Sequence, residues 1–243
     1  MTRATDPGGV AAALATMARD LLAQPTVEET VERIVAHAVD LVDGCEAAGV
    51  LVVRDGVVHT LAATHALARE SDRAQGELGE GPCLNATLDE EQVFRIADMA
   101  AAGDRWPRYA PAACELGIGS AMGFLLFTDE ENLGALNLYA SRSHAFGTRT
   151  EHVGWLLAAH ASVAFASSRT DAQLREAIGT RQDVGEAVGI IMERHKLTEE
   201  QAYELLRSQS RARKVKLRVL ARAVLAEGGL GGRPMSSPPA GSQ

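Results

Sequence analysis

The sequence predicts an α+β domain built on a mainly antiparallel sheet with flanking helices. A small all-α three-helix module follows, joined to it through a long helix. Three observations carry this. β-rich runs lie either side of short polar turns. The element order is helix, hairpin, irregular loop, strand, helix, hairpin, helix, which is not the βαβ alternation of a dinucleotide fold. Proline is absent from Thr148 until Pro234, where helical patterning takes over. The chain has 243 residues, 46% of them apolar, and is long enough for two small cores.

Two helices are expected to open the chain, over Val10–Ala23 and Val27–Val42, separated by Pro25. Thr26 and Glu29 stand at capping-box spacing, and Val27, Val31, Ile34, Ala38 and Leu41 recur on one face, which should pack on the sheet. That sheet begins with Gly49–Arg54, turns at Asp55-Gly56 and returns over Val57–Thr64. An Asp-Gly pair between β-branched runs is a strong hairpin signal. Gly76–Pro82 reads as a glycine-rich loop, Gln92–Met99 as a strand, and Trp106–Leu116 as a helix ended by Gly117. Ser120–Thr128 and Leu133–Ser141 form a second hairpin across the acidic turn Asp129–Asn132.

Beyond Thr148, the positions Val153, Leu157, His160, Ala164, Ser167, Asp171, Leu174, Ile178, Arg181, Gly185, Val188, Met192 and His195 alternate by four and three. This heptad spacing is apolar at both ends and polar in the middle. It reads as one connecting helix with a weak homodimer seam; two ordinary helices, each serving its own domain, are the alternative. Thr198 with Gln201 starts the next helix, with Ala202, Leu205 and Leu206 as its buried stripe. A third helix is expected near Lys214, with Leu217, Leu220, Ala221, Val224 and Leu225 on one face and Arg211, Lys214, Arg218 and Arg222 opposite. The expected limits are an N-terminal helical segment over 1–26, an α+β sheet domain over 27–168, a three-helix domain over 169–227 and a disordered tail over 228–243.

Charge separates the two parts. Through Asp171 there are 12 Lys and Arg against 24 Asp and Glu, and from Ala172 onward 12 against 8. A polyanion would be repelled by the first segment and attracted by the second. From Arg207 to Arg222 the chain has seven basic residues and no acidic one. Such a ridge suits salt-dependent phosphate contacts, and a solvated face is the plainer reading. Cys45, Cys83 and Cys114 are widely spaced, without a CxxC, so neither a disulfide framework nor a zinc site is expected. A reducing cytoplasm fits, and no apolar run is long enough to span a membrane. No GxSxG, HExxH, P-loop or metal-ligand cluster occurs, so no catalytic residue, metal or cofactor is assigned.

The segment Arg181–Arg194, then LTEEQAYELLRSQS, then KLRVLARAVL, resembles the ANTAR domain of transcription antiterminators over about Leu174–Leu225. Ala187, Gly189, Met192, Ala202, Leu206, Ser210 and Ala221 carry the likeness at the family's spacing. Ala187, Gly189, Met192, Ala202, Leu206 and Ala221 are assigned to helix packing. The resemblance implies dimeric binding to paired hairpins in leader RNA, whose unstacked loop bases offer readable edges. Arg181, Arg207, Arg211, Lys214, Arg218 and Arg222 are the candidate RNA-binding residues. Two positions depart from the family: Val188 stands where Lys is frequent, and Lys214 where Asn is usual.

Upstream, GEGPCLNA, DRWPRYAPAACELGIGSAMGFLL, LGALNLYA and HAF are similar to the GAF domain that precedes ANTAR modules in actinobacterial regulators, over roughly Val27–Ser168. That implies a GAF-like sensor fold with a small-molecule effector, of which the motifs identify neither ligand nor ligand-binding residue. Cys83 is read as buried filler rather than a reactive thiol, His65 and His144 as surface or packing residues, and Trp106 and Tyr109 as core caps. Together these readings describe a signal-responsive RNA-binding antiterminator. The alternative is a sensor whose helical end binds DNA or a protein partner, although Lys214–Ala226 offers no Asn, Gln or Ser to base edges.

Overall fold

The computed structural model describes residues 7–84, 92–129 and 131–230. The chain divides into two compact units, 1–172 and 173–243.

In the first unit α1 (Pro7–Leu22) and α2 (Val27–Leu41) precede the hairpin β1 (Ala47–Arg54) and β2 (Val57–Ala63). Thr26 caps α2, its side chain accepting from the Glu29 N–H at 3.1 Å. The hairpin forms where expected because Asp55 and Gly56 both take positive φ, 53° and 77°, as a tight antiparallel turn of this type requires. Next come α3 (Ala66–Leu78), β3 (Val93–Ile96), a short 3-10 turn over Ala100–Asp104, and α4 (Tyr109–Glu115). β4 (Ser120–Phe127) and β5 (Asn132–Ala140) complete a five-stranded sheet in the order β2-β1-β5-β4-β3, every pair antiparallel.

Alternation along the strands sends side chains to two cores. On one face Leu136, Leu138, Met122, Phe124 and Val50 meet Leu14, Met17 and Leu21 of α1 and Val31, Ile34 and Ala38 of α2. Leu157, Ala161 and Phe165, from the start of a long helix, α5 (Thr148–His195), close that core. α1, set apart as a separate segment by the sequence reading, is thus built into the core of the sheet domain. The other face carries Leu51, Ala121, Ala135 and Tyr139 under α3, the 3-10 turn and α4, with Trp106, Tyr109 and Met99 buried among them.

One element departs from the sequence expectation: α3 runs through Gly76 to Leu78. The glycine-rich loop expected from Gly76 begins only at Gly79, which ends α3 in the left-handed conformation (φ 65°), its N–H donating to the Gln75 carbonyl at 2.9 Å. His65 caps the start of α3, its Nδ1 accepting from the Leu67 N–H at 3.2 Å, and His144 is exposed. Cys83 is fully buried, and burial pushes its thiol up, away from the thiolate a reactive cysteine needs.

The second unit holds the end of α5 with α6 (Glu199–Arg213) and α7 (Leu217–Glu227) around Ala187, Val188, Ile191, Ala202, Leu206, Leu220, Ala221 and Val224. The expected tail over 228–243 lies outside the described residues beyond Leu230.

Candidate nucleic-acid interface

Specific caps open and close α6. Thr198 and Gln201 form a reciprocal capping box, the Thr198 N–H donating to Gln201 Oε1 at 3.0 Å. α6 ends at Lys214 in the left-handed conformation (φ 54°), its N–H turned to the Arg211 and Ser210 carbonyls. That geometry favours Gly or Asn, which explains on physical grounds why Asn is the family's usual residue there. The buried Ser210 hydroxyl donates to the Val215 carbonyl at 2.6 Å and fixes the turn into α7.

Of the six residues assigned to helix packing, Ala187, Ala202, Leu206 and Ala221 are fully buried, and Met192 lies half-buried against them. Gly189 does not belong with them. It is exposed, and a Cβ added there would meet nothing within 4 Å, so helix packing does not account for this glycine. Val188 is buried in the same core, so the apolar departure from the family pattern serves packing.

The candidate cations fall into two sets. Arg218 and Arg222 of α7 turn back onto α5. Arg218 pairs with Glu176, and Arg222 Nε donates to Asp183 Oδ2 at 2.7 Å. Arg207 is exposed and pairs with Glu204 at 3.1 Å, one turn before it. Arg211 and Lys214, with the neighbouring Lys216, are exposed and form no ion pair among the described residues. Arg211 belongs to α6, so it does not share the face of the third helix to which sequence spacing assigned it. Arg181 is exposed on α5 beside a shallow groove lined by Ala177, Thr180, Val184, Tyr203 and Leu217.

Arg211, Lys214 and Lys216 therefore surround the α6–α7 corner. α7 starts there with Lys216 as its N-cap and no acidic residue in its first turn. The unsatisfied N–H groups of a helix start favour an anion, and here the side chains around them are cations rather than the usual carboxylates. Sequence reasoning found the cations but missed Glu176 and Asp183. They lie more than thirty residues upstream, where no window along the chain would associate them.

An antiparallel sheet domain with helices on both faces, followed by a basic three-helix unit, defines a two-part regulator with a sensing part and a nucleic-acid-binding part. The chain belongs to the GAF domain family, whose model matches residues 24–166, and it carries an ANTAR domain over residues 172–225. GAF domains are sensor domains and ANTAR domains are RNA-binding antiterminator modules; neither is an enzymatic family. No curated protein matches the chain. Among solved structures, the GAF domain of a phosphoenolpyruvate-protein phosphotransferase from Coxiella burnetii is similar at a TM-score of 0.53 and 20% identity, over 68% of this chain and 96% of that one. The chromophore-binding domain of an unusual bacteriophytochrome from R. palustris gives 0.55 at 11% identity, over 70% of this chain and 64% of that one. A phycoerythrobilin-bound GAF domain from a cyanobacterial phytochrome gives 0.52 at 15%, over 67% and 96%. At these identities the likeness is one of fold. Among the described residues no helix is long and apolar enough to cross a membrane.

Proposed function

We propose that this chain is a signal-responsive transcription antiterminator of the cytoplasm that binds hairpins in leader RNA as a homodimer. In this reading the N-terminal domain binds a small-molecule effector and the three-helix domain binds RNA. The observation that carries it is the carboxylate-free corner of Arg211, Lys214 and Lys216 at the start of α7. Arg207 and Arg181 extend the cationic surface. Arg218 and Arg222 hold α7 against α5 through Glu176 and Asp183, and they reach phosphate only by exchanging those partners. Dimerisation is assigned to α5, where Leu174 and Ile178 are 58% and 59% exposed.

Filter binding of a two-hairpin leader RNA tests the reading. Replacing Arg207, Arg211 and Lys214 together by Ala is expected to weaken binding at least about tenfold, uniformly across hairpin sequences. Unchanged affinity would remove the corner from the interface. A preference for duplex DNA over hairpin RNA in competition would favour the DNA-binding alternative.

A further inference from the structure

Two ion pairs join α7 to α5, and they cover two of the six cations assigned to RNA. Arg218 pairs with Glu176, and Arg222 Nε donates to Asp183 Oδ2 at 2.7 Å. Arg218 and Arg222 stand one turn apart on α7, and Glu176 and Asp183 two turns apart on α5. Each couple therefore shares a helix face, and two rows of opposite charge meet. α7 carries no other cation, so all of its positive charge is taken up by carboxylates of α5.

The fold does not depend on these pairs. α7 is anchored through Leu220, Ala221 and Val224, each buried in the three-helix core. The paired side chains lie towards solvent: Arg218 and Glu176 are 37% and 58% exposed, and Arg222 and Asp183 are 66% and 23% exposed. Ion pairs open to water add little to stability, and a phosphate oxygen is an equally good anionic acceptor for a guanidinium. The Arg207–Glu204 pair lies within one helix, whereas these two cross between helices. Glu176 also belongs to a stretch of α5, residues 171–178, that is exposed throughout. Its place beside Arg218 depends on that stretch remaining helical.

We propose, on the RNA-binding reading of the three-helix domain, that Glu176 and Asp183 limit its affinity by standing in for phosphate. In the RNA-free chain they occupy Arg218 and Arg222, and RNA engages α7 by displacing both carboxylates. Binding then has two parts. Phosphates meet Arg211, Lys214 and Lys216 directly, since these form no ion pair among the described residues. On α7 each phosphate contact replaces an existing ion pair and leaves a carboxylate beside the incoming strand. The two carboxylates thus oppose RNA twice, as competitors for the guanidinium groups and as like charges. Lys216 lies two residues before Arg218. A strand held at the corner therefore presents its next phosphates at high effective concentration, which a free anion does not, and the exchange favours RNA over small anions. Any change in 171–178 that moves Glu176 off Arg218 frees a guanidinium and raises affinity.

The test is filter binding of a two-hairpin leader RNA to the full chain and its variants at physiological ionic strength. Glu176→Gln and Asp183→Asn are each expected to tighten binding about two- to fivefold, and about tenfold together. Glu186→Gln removes an equal charge from α5 at an exposed residue, bonded to Gln182 of the same helix at 2.9 Å, and should change affinity by less than about twofold. In a chain carrying Arg218→Ala and Arg222→Ala, the Glu176 and Asp183 substitutions should gain no more than Glu186→Gln does, because the competition they relieve is gone. Glu176→Gln alone carries the test if Asp183→Asn does not fold. The proposal is overturned if the double variant binds RNA no tighter than the wild type, if Glu186→Gln tightens binding as much as Glu176→Gln, or if the gain persists without the two arginines. Each of these outcomes leaves RNA binding intact and sinks the competition alone. Absence of hairpin binding in both the wild type and the double variant would instead sink the antiterminator reading, and this inference with it.

Discussion

Asp72 is a carboxyl group placed where charge is costly. Burial pushes its pKa from 3.8 up to about 7, opposed by the Thr60 hydrogen bond and the nearby Tyr139 phenol. In the unfolded chain the group ionises near 4, so between about pH 4 and pH 7 the folded state holds a proton that the unfolded state has released. Stability is therefore highest below that window and falls as pH rises through it, by an amount on the order of 4 kcal/mol at the upper limit. Asp72→Asn removes the titration while keeping the shape. Chemical denaturation of this variant at a series of pH values is expected to show a flatter profile from pH 4 to 7, with the wild type losing ground as pH rises. A wild-type profile that rises across the window would contradict the buried neutral carboxyl. At this scale the sequence was readable only where backbone chemistry dominates. Asp55-Gly56 was legible because few residues accept positive φ twice in succession, and Thr26 and Thr198 because a hydroxyl before a helix has a defined partner. Asp72, Gln75 and Asn137 were not, since their interest lies in being buried, and no local pattern marks a polar residue as buried.

Helix α3 shows the same blindness at the scale of an element. Its buried positions, Ala68, Ser71, Asp72 and Gln75, recur at helical spacing, but three of the four are polar, so a search for apolar periodicity passes over them. The long helix α5 was seen, yet its heptad pattern mixes two uses. Leu157 and Ala164 are consumed by the core of the sheet domain, and Val188 by that of the three-helix unit, with Met192 packed against it. What remains exposed and apolar along the predicted seam is Leu174 and Ile178, four residues apart, which is one turn of a coiled-coil contact. Both readings of the sequence were thus partly apt: the helix is single, and its ends serve their own domains. If the proposed homodimer forms through α5, Leu174→Glu with Ile178→Glu places like charges on that strip in both copies. The chain should then sediment as a monomer at concentrations where the wild type is a dimer, with folded stability changed by no more than about 0.5 kcal/mol, as for other exposed sites. An unchanged dimer would move the interface off this strip.

For the whole molecule the governing quantity is the split of charge. The residues through Asp171 carry 12 cationic and 24 anionic side chains, formally −12, and the remainder 12 and 8, formally +4, which sums to the net −8 of the chain. A protein of that net charge meets RNA only because salt confines each field to its neighbourhood, about 8 Å at physiological ionic strength. Near the α6–α7 corner the local cations then decide the interaction. Lowering the salt strengthens each phosphate contact but also lengthens the reach of the acidic domain, to about 30 Å at 0.01 M. A plot of log affinity against log salt for the full chain should therefore be steep near physiological ionic strength and flatten at the low-salt end. Removing Arg207, Arg211 and Lys214 should reduce the steep part by roughly 0.7 to 0.9 for each of them that contacts a phosphate. Charge reversal of acidic residues in the first unit should instead straighten the low-salt end and leave the steep part unchanged. If the triple variant kept the wild-type slope, the corner would not be where RNA phosphates bind, whatever its charge.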